Sequence, residues 1–329
     1  NAVVIRLGSF ESQWIQISNN GTDNKISHNS IRPEITIPLD AEWKMKPLGK
    51  NFCRFGYVDM SLNRIEWENV EVKTFIEQCD STKLLEKQQL RFSGAFGTPK
   101  KITPAYPLAC WYRVEFQMNE VPEDICIFMD RETMAGSYQL FINGKKADQK
   151  DWYDVFVNDK NNQALNIYSM VKEGKNSIEI QMNIEKDEDG LRDPLYLWGS
   201  FGVTETAGIP LLTKQPETGC PDRHWCKGFP YYSGTMEYET CMKLEIPVTE
   251  QQVNCFDIKL GFQVPTYDCI ETRINGVSLG VKAYVWQCPR DVLQKDENII
   301  TIAVTNTLAN MLDGTYFDYD SQKLVNIEP

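Results

Sequence analysis

Short runs in which apolar and polar residues alternate recur along most of the chain. Period-two alternation sends successive side chains to opposite faces of an extended backbone, so such runs predict half-buried strands. One set comprises Trp111–Met118, Ile125–Met129, Tyr138–Ile142, Ser177–Met182 and Leu195–Trp198. A second comprises Thr235–Ile246, Cys255–Phe262, Cys269–Ile274, Ala283–Gln287 and Ile299–Val304. Asn143-Gly144, Asp189-Gly190 and Asn275-Gly276 punctuate them as hairpin turns, since these residues tolerate positive φ. Helical patterning is confined to Thr74–Leu85, with a short turn expected near Val292-Leu293. Many short strands with so little helix predict an all-β fold of sandwiches or jelly rolls.

The two sets are copies of one pattern, and an internal repeat outweighs any single motif. Each reads strand, strand, Ile-Asn-Gly, Trp, Val, Asn, Ile-x-Ile, through Trp152 in the first copy and Trp286 in the second. Asn143 to Asn176 spans 33 residues and Asn275 to Asn298 spans 23, a difference that a loop insertion absorbs at little entropic cost. The repeat predicts two tandem sandwiches. Residues 35–207 form the first, opening with Ile35–Trp43 and carrying a long insertion at about 48–105. Residues 208–329 form the second, after the Gly- and Pro-bearing stretch Thr204–Pro216. Residues 1–34 read as the tail of a preceding domain or a linker, and the start Asn1-Ala2-Val3-Val4 reads as a cut from a longer protein.

Charge and composition narrow the partners. Asp and Glu number 46 against 34 Lys and Arg, a net charge of −12, which argues against nucleic acid or an anionic membrane surface as partner. No stretch approaches the roughly 20 apolar residues of a membrane span. Ten cysteines in 329 residues are too sparse for a disulfide-stapled scaffold, and none has Cys-x-x-Cys spacing. Cys126 and Cys241 fall in strand-like runs and read as small buried hydrophobes. Free thiols in this number favour a reducing compartment, hence the cytoplasm, against the weak contrary signal of the sequon at Asn20. The histidines are His28 and His224, and Cys220 and Cys226 bracket the latter, as a metal site or as plain loop thiols.

As a set, these pieces resemble the galactose-binding-like jelly-roll domain of glycoside hydrolase family 2 and related large bacterial, rhamnosidase-like glycosidases. Trp43 followed by Asn51 resembles that domain's opening strand and loop, and Trp111-Tyr112-Arg113-x-x-Phe116 its long strand. Tyr138 through Gly144 resembles its Asn-Gly hairpin, and Glu173 through Ile178 its Gly-x-Asn strand. Asp193 through Val203 is similar to the closing strand, and Gly228 through Tyr238 to the opening of a second such domain. The resemblance implies a C-terminal accessory region of a glycoside hydrolase whose catalytic (β/α)₈ barrel lies elsewhere. Its implied partners are carbohydrate and the remaining domains of the parent enzyme.

Sugar recognition needs aromatic faces beside carboxylates, amides or Arg. The loop Arg223–Tyr232 and the stretch Asp193–Trp198 offer both, so Trp225, Tyr231, Tyr232, Asp193 and Trp198 are the candidate carbohydrate contacts. The competing reading has these aromatics packing between the sandwiches, their commoner use. Trp111, Trp152 and Trp286 read as core. The acidic turn Glu185–Asp193 offers oxygen ligands for a structural calcium, or is simply a solvated turn; no other cofactor is expected. Ser233 lacks the Gly-x-Ser-x-Gly elbow and no phosphate loop follows a strand, so no catalytic residues are assigned. A free-standing pair of carbohydrate-binding modules, or a small glycosidase with its site between the sandwiches, are the alternatives.

Overall fold

The computed structural model describes residues 32–81, 93–95, 98–100, 105–206, 208–221, 227–245, 253–261, 269–282, 285–306, 308–313, 315–318 and 323–326. Nearly every regular element among them is a strand, and the sheets are largely antiparallel. Among the described residues no helix is long and apolar enough to cross a membrane. The expected helix is present as Phe75–Ser81, and the turn near Val292 as a 3₁₀ segment, Arg290–Val292.

Buried side chains gather into two large cores. The first lies between two sheets. One runs Lys145–Lys146, Ser137–Ile142, Gly174–Ile184, Leu108–Met118, Ile209–Thr213, Gly202–Thr206, with Tyr57–Ser61 also on Leu108–Met118. The other runs Tyr153–Asp154, Asn162–Asn166, Cys126–Asp130, Leu195–Gly199, Asn51–Phe55. Alternation does the sorting: Cys110, Tyr112, Val114, Phe116 and Met118 of the long strand all face the core. The second core lies between the sheet Thr218–Gly219, Trp43–Pro47, Thr235–Met242, Asn298–Thr305, Cys269–Ile274, Val277–Lys282 and the three strands Glu34–Pro38, Cys255–Gly261, Val285–Pro289. Trp43, Trp286, Tyr232 and Tyr238 are its largest members.

The repeat holds atom for atom at its hairpins. Asn143 and Asn275 adopt φ of 50° and 51°, followed by Gly144 and Gly276 at 76° and 81°. Asn143 Nδ2 donates to Asn176 Oδ1 at 2.8 Å and to the Met170 carbonyl at 3.0 Å. Asn275 Nδ2 donates to Asn298 Oδ1 at 2.9 Å and to the Val292 carbonyl at 2.8 Å. The N–H of Ser177 and of Ile299 donate to Asn143 and Asn275 Oδ1 at 3.0 and 2.9 Å. In each copy the second asparagine, buried, also closes its own turn, on Lys172 or on Gln294. The sheet order of the four strands around each pair is the same. Trp152 is not the counterpart of Trp286. Trp286 lies in the strand Val285–Pro289, which takes the place of Asn162–Asn166, whereas Trp152 follows a 3₁₀ turn and lies half-buried on the first core. Trp111 is likewise half-buried.

The expected boundaries need correction. Glu34–Pro38 pairs in parallel with Cys255–Gly261, and Trp43–Pro47 pairs with Thr235–Met242, so both belong with the second core. Asn51–Phe55 and Tyr57–Ser61, expected inside an insertion, are strands of the first core, and Ile209–Thr213 pairs with Leu108–Met118. The first core is therefore built from a segment that lies in the chain between two parts of the second. Alternation shows which face of a strand is buried, not which sheet receives it. Where the chain passes between the cores, buried Asn51 donates to the carbonyls of Phe201 and Gly228 at 2.8 and 2.7 Å. Residues 1–31, the rest of the expected tail, lie outside the described residues.

None of the nine described cysteines is held in a disulfide. Cys53, Cys79, Cys110, Cys126 and Cys288 are buried, but Cys241, expected to be buried, is exposed because its strand position faces solvent. Burial pushes the Cys53 and Cys110 thiols up to about 12.

Two outcomes follow. Ile37→Ala, at a fully buried position, should cost about 2–5 kcal/mol, with hydrogen-exchange protection lost around Ile258 and Trp286 rather than around Tyr112. Asn176→Ala should cost about 1–3 kcal/mol for each polar group it strands, measured by urea unfolding.

Candidate functional site

The five-stranded sheet of the first unit has a second apolar face. Because Cys53 and Phe55, Ile127 and Met129, and Leu195 and Leu197 face the core, their neighbours Phe52, Arg54, Phe128, Tyr196 and Trp198 face outward. Phe52, Phe128 and Tyr196 meet edge-to-face, with centroids 5.4 to 6.0 Å apart, and Trp198 tilts against Phe128 at 5.8 Å. Such arrangements exploit the ring quadrupole as well as burial. Met311, from the short helix Ala309–Asp313, covers the centre, and the Tyr196 hydroxyl donates to its carbonyl at 3.1 Å.

At the other end the face opens. Trp198 is half-buried, and Lys50 Nζ lies 4.2 Å from its ring centroid, a cation–π contact. Lys50 also pairs with Asp124 at 3.3 Å. Asp124 accepts from the backbone N–H and the hydroxyl of Ser200, each at 2.9 Å. Burial alone would raise the Asp124 carboxyl, but the Ser200 donors and Lys50 together hold it below the ordinary carboxylate range. The Tyr153 hydroxyl lies 3.4 Å from Cys126 Sγ, and the ring is 44% exposed. Burial of the phenol, with the Cys126 contact adding to it, pushes its pKa up to about 12. The patch thus offers an indole, an ammonium, a neutral phenol and an ionised carboxylate, which suits hydrogen bonding to hydroxyls beside an apolar ring face.

Of the expected contacts, Trp198 belongs to this patch and Tyr231 to the rim of the same aromatic cluster. Asp193 is exposed, and its charge acts on Tyr196. Tyr232 is different: it is fully buried in the second core, its hydroxyl donates to the Thr235 carbonyl at 2.8 Å, and no ring face is open to a sugar. Trp225, with His224 and Cys226, lies outside the described residues. Lys50, Asp124 and Tyr153 carried no local signal, because only long-range strand pairing brings them beside Trp198.

In the acidic turn, carboxylate oxygens bond within the protein. Asp189 is 3% exposed and accepts from the N–H of Glu185 and Lys186, at 2.8 and 3.3 Å, while Asp187 accepts from the Tyr106 hydroxyl at 2.7 Å. Their oxygens hold the turn, and among the described residues no group of three or more His, Cys, Asp or Glu is placed to hold a metal. Beside the turn lies a cavity of about 610 Å³ lined by Glu132, Met134, Gly136, Glu185, Lys186 and Arg192, among others. Glu237 pairs with Arg273 in the second unit's sheet, whereas Asp193 belongs to the first unit.

No family model matches the chain, and no curated protein matches it. Among solved structures it is similar to the β-D-glucuronidase of Dictyoglomus thermophilum, at 9% identity and a TM-score of 0.31, covering 82% of this chain and 40% of that one. It is also similar to the exo-chitosanase of Amycolatopsis orientalis, at 11% identity and 0.35, covering 78% and 29%. The β-D-mannosidase of Dictyoglomus thermophilum is similar at 11% and 0.31, covering 78% and 31%. The chain thus spans less than half the length of each of these three proteins.

A depressed carboxylate stabilises the fold above its unfolded pKa and ceases to do so as pH falls through its folded value. Asp124 therefore contributes stability that is complete above the ordinary value near 3.8 and lost below it. Asp124→Asn should lower Tm at pH 7 and narrow the gap to the parent chain as pH drops toward 2.

Proposed function

We propose that this chain is a non-catalytic accessory region of a multidomain glycoside hydrolase. In this reading it comprises two galactose-binding-like jelly-roll sandwiches, the first set into the second, that brace the parent enzyme and contact carbohydrate. The observation that carries the reading is the paired asparagine clamp, repeated with matching donors and acceptors at both Asn-Gly hairpins. It supports reading the two copies as one ancestral domain, with the motif order of the sugar-binding type. Among the described residues the carboxylates with displaced proton affinities favour their ionised forms, which accept from hydroxyls. Asp124 and Glu217, whose proton affinities are displaced, are both lowered: Asp124 by its Ser200 and Lys50 partners, which outweigh its burial, and Glu217 by Lys214.

The sugar contact is assigned to Trp198, Lys50, Asp124 and Tyr153, with Tyr231 and Asp193 alongside. Calorimetry of the chain against methyl glycosides at millimolar concentration tests it. Binding should be measurable, and Trp198→Ala should weaken it about tenfold, close to 1.4 kcal/mol. Binding unchanged in that variant sinks the site assignment. Hydrolysis of aryl glycosides by the chain, lost in Asp193→Asn or Glu237→Gln, overturns the accessory reading.

A further inference from the structure

The aromatic face beneath Met311 is bordered by polar atoms that the protein leaves without partners. Arg54 Nε, Asn158 Oδ1 and Asn310 Nδ2 are all buried, and none has a hydrogen-bond partner among the described residues. All three belong to residues that touch or adjoin Tyr196 or Met311. Arg54 is the cross-strand neighbour of Tyr196, and its positive charge acts on the Tyr196 phenol. Tyr196 in turn donates to the Met311 carbonyl. Asn158 Nδ2 donates to Met311 Sδ at 3.6 Å. Asn310 adjoins Met311 in the chain and is 6% exposed. One unpartnered atom comes from the edge strand of the first unit, one from the loop after Tyr153–Asp154, and one from the helix carried by the second unit.

Folded proteins keep few such atoms, because each has given up water for nothing. Of the nine such atoms among the described residues, three fall at this seam. Their kinds are informative. Two donors and one acceptor match hydroxyl groups, which serve in both roles. An anion has no use for Asn158 Oδ1, and it meets Asp130 and Asp193, whose charges act on Tyr196. The cover is slight as well. Asn310 and Met311 are buried, but Leu308 and Leu312 beside them are 41% and 53% exposed. Methionine, unbranched and flexible, gives up a packing position more readily than a branched side chain.

We infer that the seam beneath Ala309–Asp313 is a second sugar seat, taking a neutral pyranose against Phe52, Phe128 and Tyr196 as Met311 moves aside. The ligand hydroxyls accept from Arg54 Nε and Asn310 Nδ2 and donate to Asn158 Oδ1. This inference rests on the carbohydrate-contacting reading above and adds a site distinct from the open patch at Trp198.

Asn→Leu substitution separates a binding seat from mere frustrated packing. Removing an unpartnered polar atom for an apolar group of similar shape does not weaken the fold, whatever the atom was for. Asn310→Leu should therefore keep or raise Tm, and Asn158→Leu should lose no more than the weak Nδ2 bond to Met311 Sδ contributes. Titrated with methyl galactoside, methyl glucoside and methyl mannoside, they should lose at least tenfold in affinity for whichever sugar the parent chain binds at the seam. In the parent chain the Met311 methyl and Asn310 side-chain amide resonances should shift as that sugar is added. Sugar binding that leaves both resonances unmoved and both variants unimpaired overturns the seam site, while the contact at Trp198 stands. No binding by the parent chain overturns both. Should either variant fail to fold, the resonances of the parent chain decide alone.

Discussion

The side chain of Asn51 sits where the chain leaves one core for the other, and the arrangement of both cores depends on it. Its amide reaches Phe201 in the first unit and Gly228 at the start of the second, while its Oδ1 accepts from the N–H of Phe52. Around it the Leu48 N–H donates to the Thr235 carbonyl, and the Gly49 N–H to the Tyr232 hydroxyl. A buried amide with all these bonds made is stabilising and specific; one short of partners is costly. This explains why Tyr232 is committed to the core: it holds one of the two passages in place, so its hydroxyl is spent before any ligand arrives.

Much of the fold was legible, and the failures have a common cause. The Asn-Gly turns and the later asparagines were visible because local chemistry dictates them: positive φ at the turn and a short amide to close it. The strands of the first core from Leu108 onward were visible because they alternate. Asn51–Phe55 was not, since four of its five residues are buried, on both faces, and no period-two signal survives. Ile35 and Ile37 did alternate, and their burial followed, but the receiving sheet is a non-local property. The partner of Glu34–Pro38 is Cys255–Gly261, at the other end of the chain.

The site divides in the same way. Aromatic density around Asp193–Trp198 and Tyr231-Tyr232 was the right signal for an aromatic cluster, yet it could not separate neighbouring residues with opposite fates. Tyr231 packs at the rim of the outer face and Tyr232 inside the second core. The groups that give Trp198 a polar setting, Lys50 and Asp124, are isolated charges in the sequence, and only the pairing of Leu195–Gly199 with Asn51–Phe55 and Cys126–Asp130 explains their approach.

The two ends of the contact between the units differ in how fully their polar groups are satisfied. At Asn51 every side-chain atom that can bond does so, and both chain passages lie beside it. Around Met311 and Tyr196 three buried polar atoms lack partners among the described residues, and the cover is one short helix. A polar group left unpaired in a low-dielectric interior raises the free energy of the state that contains it, so the two ends do not hold the units together equally. A ligand that brings hydroxyls stabilises the seam most where the protein has satisfied it least, and that is the Met311 end. The same asymmetry keeps such binding from disturbing the fold, because the bonds that define the two cores lie at the other end and are already complete.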